Sequence, residues 1–115
     1  MLPFLFWLNT QCEQVRALEG KAKVFLDAND AHAWRELMRE KAELLAGLAA
    51  AAADVLPSLP AGAQQRAAAQ LRRFSQSAAT ALSLNSPFYM SALLYPEDSK
   101  DGDPNDLERF RDSFQ

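Results

Sequence analysis

His32 and Glu36 stand four residues apart, a spacing that brings an imidazole and a carboxylate to one side of a helix, where the two could chelate a metal. The chain holds one histidine, and its neighbours are charged, so the pair reads as a solvated first-turn pair. Cys12 is the sole cysteine, which rules out an internal disulfide and a cysteine-based zinc site. No histidine lies near it in sequence to activate a thiolate, so it reads as a small buried hydrophobe. Residues 97–108, EDSKDGDPNDLE, can be laid on a twelve-position calcium loop, with Ser99 third, Asp101 fifth, Gly102 sixth, Asp103 seventh and Glu108 twelfth. Glu97 stands where such loops start with aspartate, and Pro104 where they place an aliphatic residue. A solvated acidic linker is the better reading. Gly20, Gly47, Gly62 and Gly102 form no phosphate-cradling loop, and no nucleophile sits in a recognisable elbow. The expectation is a protein that is not an enzyme, with no catalytic residue, metal or cofactor.

The elements that would position any site are helical. Phe4, Leu8, Gln11, Val15, Leu18, Ala22 and Phe25 recur at alternating steps of four and three, a heptad seam for a first long helix. Pro3 suits its first turn. Asp27-Ala28-Asn29-Asp30 ends that helix, and Asn29 or Asp30 can cap the next. So short a connection implies an antiparallel helical hairpin. The second helix sets Trp34, Leu37, Met38, Lys41, Leu44, Leu45, Leu48, Ala51, Ala52 and Val55 along one side, with Arg35, Glu36, Arg39, Glu40 and Glu43 on a solvated face. Leu56 to Gly62 breaks the chain. A third helix resumes near residue 61 or 63 and shows Ala67, Leu71, Phe74, Ala78, Ala81 and Leu82. Ser86-Pro87 is a helix-start signal, with Ser86 as cap, so the third helix either kinks there or ends and restarts. DLERFRDSFQ closes the chain as a short amphipathic helix with Leu107, Phe110 and Phe114 on one side. The expected fold is all-α: an antiparallel bundle of three long helices, a short fourth, and a tethered C-terminal helix. Residues 1–96 would form the bundle domain and 97–115 an acidic linker with that last helix.

Charge narrows the partners. Residues 1–96 carry nine Lys/Arg against eight Asp/Glu, and residues 97–115 carry three against seven. A nearly neutral body with an acidic tail does not suit nucleic acid or an anionic membrane. The start, MLPFLFWL, lacks the basic residues and the cleavage pattern of a targeting signal, and no stretch approaches the ~18 apolar residues of a membrane span. A cytoplasmic protein is expected. Phe88, Tyr89, Met90, Leu93, Leu94 and Tyr95 form a dense apolar cluster. It either caps the core, near Phe4, Phe6 and Trp7, or forms a groove for an amphipathic partner helix.

The stretch LDANDAHAWRELMREKAELLAGL, residues 26–48, resembles the FlgN-type flagellar export chaperones and their FliT-type relatives. The matching positions are Leu26, Asp30, Trp34, Leu37, Lys41, Leu44, Leu45 and Leu48. The resemblance implies a small, all-helical, cytoplasmic protein that holds the C-terminal helix of a hook-associated or filament-cap subunit and brings it to the export apparatus. By that analogy Leu82, Phe88, Tyr89, Met90, Leu93 and Leu94 hold the client helix, and Leu107, Phe110 and Phe114 form a tail that covers the same groove. The apolar start and Pro87 depart from the family pattern. An alternative reading is a structural homodimer without a client, in which Phe4, Phe6, Trp7 and Leu8 form the subunit interface.

Overall fold

Asn29 and Asn85 have φ of +60° and +49°, in the left-handed region that asparagine tolerates better than most residues. Each closes a long helix in the same way. The Asp30 N–H donates back to the Phe25 carbonyl (2.8 Å) and the Ser86 N–H to that of Ala81 (3.3 Å), so last-turn carbonyls that would be left without partners are satisfied. The next residue at once begins a new helix. Asp30 accepts from the Ala33 N–H and Ser86 from the Tyr89 N–H, the capping arrangement that the sequence leads one to expect.

The computed structural model describes residues 1–114, and among them every regular element is helical. Gln115, the last residue of the expected tail, lies outside the described residues. Helix α1 spans Leu2–Asp27 and α2 spans Ala31–Ala46; α3 is a single turn, Leu48–Ala51. Two 3-10 turns follow, Ala52–Asp54 and Leu56–Ser58. Helix α4 spans Ala61–Ser83, α5 Pro87–Ala92 and α6 Asp106–Asp112. Helix three thus ends and restarts at Pro87 rather than kinking.

The second helix is shorter than its apolar stripe predicts. It stops at Gly47, and Leu48 to Ser58 turn across the base of the molecule instead of continuing to Val55. Ser75 of α4 is the reason that this break is tolerated. Its hydroxyl accepts from the Ala49 N–H (3.0 Å) and donates to the Leu45 carbonyl (2.9 Å), so two backbone groups at the break keep partners. Ser58 serves the start of α1 in a similar way. Met1 gives no side-chain cap; instead the Phe4 N–H donates to Ser58 Oγ (3.2 Å) and the Met1 amino group to the Ser58 carbonyl.

The core has two parts. Around the base, Phe4, Leu8, Cys12 and Val15 of α1 meet Leu45, Leu48, Leu71, Phe74 and Leu107. Near the hairpin, Ala22, Met38, Ala42, Ala81 and Met90 form a smaller cluster. Leu107 has no exposed surface, so α6 packs its apolar side into the core.

Candidate functional site

Lys41 stands on the apolar side of α2 and is wholly buried. An ammonium in such a place needs an anion and hydrogen-bond acceptors. Its Nζ lies 3.0 Å from Glu19 Oε2 and donates to the Ser91 carbonyl at 3.1 Å. It also sits 5.1 Å from the centre of the Tyr95 ring, within reach of a cation–π attraction. Burial pushes the Lys41 pKa down, and Glu19 opposes that shift.

The network continues outward from Glu19. Tyr95 Oη donates to Glu19 Oε1 (2.7 Å), and Arg16 Nη1 donates to Tyr95 Oη (3.1 Å). Burial first, and then the bond to Glu19, push the Tyr95 hydroxyl up to about 12. Arg16 grips Glu108 with two bonds, Nε to Oε2 at 3.0 Å and Nη2 to Oε1 at 2.6 Å, and reaches the Asp103 carbonyl at 3.0 Å. This fork geometry is the strong form of a carboxylate ion pair. The Arg16 guanidinium holds the Glu108 carboxyl below its ordinary range. Glu108 also closes a capping box with Asn105, each side chain accepting the other residue's backbone N–H at 2.9 Å.

The charged groups of this network engage one another, and Arg16, Glu19, Lys41 and Tyr95 also line a hollow of about 400 Å³ beside α1 and α2. It ties α1 and α2 to the segment Ser91–Tyr95 and to α6. Leu94, within that segment, is held at φ +77°, a conformation costly for leucine. Its carbonyl accepts from the Asp106 N–H (2.9 Å) and its side chain is buried, which together hold the turn.

Fixing α5 and α6 in place leaves hollows between them and α4. The upper hollow, of about 510 Å³, is lined by Ser77, Thr80, Ala81, Leu84, Tyr89, Ala92 and Leu93. Leu84 and Tyr89 are exposed by 59% and 54%, far more than side chains of that size in a finished core. Phe88, exposed by 72%, stacks edge-on against Tyr89 with ring centres 5.6 Å apart.

The structure separates the six residues expected to hold a client. Tyr89 and Leu93 line the upper hollow, with Phe88 at its edge. Met90 and Leu94 are buried, and Leu82 packs half-buried against the smaller core cluster. Ala81, expected on the apolar side of the third helix, and Leu84 also line the hollow. The expected masking tail lies elsewhere. Phe110 packs edge-on against Phe4 and Phe74, Phe114 against Phe4, and Leu107 sits beneath them in the basal core. The tail covers the base because Phe4 and Phe74 present the larger aromatic surface there.

The four residues expected at a dimer interface also divide. Phe4 and Leu8 are buried under α6, Trp7 packs half-buried beside Phe4, and Phe6 is 79% exposed. Residues four apart share a helix stripe, whereas Phe6 faces nearly the opposite way. The acidic stretch is likewise committed: Glu108, its twelfth position, is bound to Arg16. His32 and Glu36 are exposed, and no group of three or more potential metal ligands converges among the described residues. Burial pushes the Cys12 thiol up to about 11, the state of an unreactive core cysteine.

The buried network was the part that the sequence signals least. Lys41, a single cation in an apolar stripe, was its one visible trace. No described helix is long and apolar enough to cross a membrane. Compared with protein-family models, with curated proteins and with solved structures, the chain matches none.

Proposed function

We propose that this protein is a non-enzymatic, cytoplasmic helical adaptor that holds an amphipathic helix of a client protein against α4 and α5. The observation that carries this reading is the upper hollow, where Leu84, Phe88 and Tyr89 stay in water beside a floor of Ala81 and Leu93. A helix laid there would bury these side chains, and burial of apolar area is the whole of the mechanism. The likeness of residues 26–48 to FlgN-type export chaperones makes flagellar or secreted helical subunits the client class to test first.

The test uses residues that the fold does not need. A Leu84→Asp, Tyr89→Asp double variant should keep its helical content, since both side chains are exposed. Wild type should retain a flagellar or secreted helical subunit from its native cells, and the variant should lose it. Equal retention by both forms, or retention of no such subunit, contradicts the reading.

A second reading, a homodimer, draws on Leu2 and Phe6, each 79% exposed on the outer face of α1. In that case Phe6→Asp should halve the mass measured by sedimentation. An unchanged mass removes the idea.

A further inference from the structure

The upper hollow is one end of a longer trough. A middle hollow of about 200 Å³ shares Ser77 and Leu93 with it. A lower hollow of about 1000 Å³ shares Gln70 and Asp106 with the middle one. The three follow α4 from Ala63 to Leu84, a run of about 30 Å at the helical rise. One wall is α4; the other is α5, the Leu93-Leu94 turn and α6. The floor is apolar through Ala67, Phe74, Phe110 and Leu93.

The rim is charged, and with one sign in excess. Between Val55 and Pro96 the sequence contains no aspartate or glutamate, only Arg66, Arg72 and Arg73. Arg66 lines the lower hollow and Arg73 the middle one. They are seven residues apart and so share one face of α4. Arg109 of α6 stands on the facing wall of the lower hollow. Among the described residues none of these three meets a carboxylate in an ion pair, and the ion pairs there lie on α1, α2 and α6. Asp106, half-buried at the start of α6, is the one acidic side chain among the described residues that lines the trough.

We infer that the trough takes an acidic amphipathic helix of about five to six turns, whose carboxylates recur at a spacing of seven and face Arg66 and Arg73. This rests on the helix-binding reading above and specifies its ligand. The apolar floor supplies affinity, and the arginines select against basic helices and speed encounter with acidic ones. Arginine is suited to this role because its planar fork binds a carboxylate through two donors.

The experiment uses the full chain and two synthetic amphipathic peptides of about twenty residues. They share the same leucine stripe; one carries glutamate along its flank and the other lysine. Binding is followed by fluorescence anisotropy at low and at physiological salt. The glutamate peptide should bind about tenfold or more tightly than the lysine peptide, with the gap narrowing as salt screens the arginines. An Arg66→Gln, Arg73→Gln double variant, checked by circular dichroism for retained helix, should lose most of that preference. Equal binding of the two peptides overturns the acidic ligand while leaving the helix-binding reading in place. Binding of neither overturns both. Capture of phosphatidylcholine–phosphatidylglycerol vesicles, with neither peptide bound, overturns the inference in favour of an anionic lipid surface.

Discussion

Lys41 Nζ lies 3.0 Å from Glu19 Oε2; the lysine side chain has no exposed surface, while that of Glu19 keeps 17%. The two partners are therefore not equivalent. Without Glu19 the ammonium would keep only the Ser91 carbonyl and the Tyr95 ring. Without Lys41, Glu19 would retain water, the Tyr95 hydroxyl and Arg16 at 3.9 Å. Glu19→Gln should lower stability by about 3 kcal/mol and Lys41→Met by under about 1 kcal/mol, since an unpaired buried charge is the expensive product. Urea unfolding of the two variants decides it, and equal losses contradict the asymmetry.

The Arg16–Glu108 pair sets an acid limit on the same region. Arg16 holds the folded-state pKa of Glu108 below its ordinary value, so the unfolded chain takes up the proton first as pH falls. The stability due to this pair should be complete above the ordinary carboxylate pKa and should decline as pH drops toward the folded value. Chemical unfolding across the acid range should show a steeper decline for wild type than for Glu108→Gln. Parallel curves contradict that role.

Ser75 supplies two hydrogen bonds to the break between α2 and α3. Ser75→Ala leaves the Ala49 N–H and the Leu45 carbonyl without them, and should cost about 1–3 kcal/mol. Hydrogen exchange should quicken first at Ala49. Unchanged exchange there would mean that the break is held by other means.

Leu107 joins α6 to the basal core, whereas Phe6 faces solvent. Leu107→Ala should destabilise by about 2–5 kcal/mol, and Phe6→Ala should change stability by no more than about 0.5 kcal/mol. A thermal or urea midpoint unaffected by Leu107→Ala would return α6 to the status of a loose tail.

These outcomes also mark what could be read in advance. Local chemistry was legible: the heptad seam of α1, a cap at Asn29 or Asp30, the Ser86 cap and a helix start at Pro87 follow from residues within one or two turns of each other, though whether α4 would kink or end there does not. The stop at Gly47 was not, because alanines 49–53 favour continuing the helix and the residue that accommodates the break, Ser75, lies on another helix. The Arg16–Glu108 pair joins residues 92 positions apart, and no local pattern announces such a partner. Which of the expected client residues face inward was not legible either. On a six-residue helix such as α5, one turn sends Met90 inward and Phe88 and Tyr89 outward, and apolar character alone does not say which. Where the tail packs was not legible for a similar reason, since the aromatic face it covers is assembled from Phe4 and Phe74, seventy residues apart in sequence.

The central claim is that the trough along α4 receives a helix. Amide chemical-shift mapping of the full chain, titrated with the glutamate-flanked amphipathic peptide, addresses it residue by residue. The shifts should concentrate on α4 from Ala63 to Leu84, on Phe88 to Leu93 and on α6 from Asp106 to Phe110, and should leave the hairpin at Val24 to Trp34 unmoved. Shifts centred on that hairpin or on the outer face of α1, or none at saturating peptide, would contradict it.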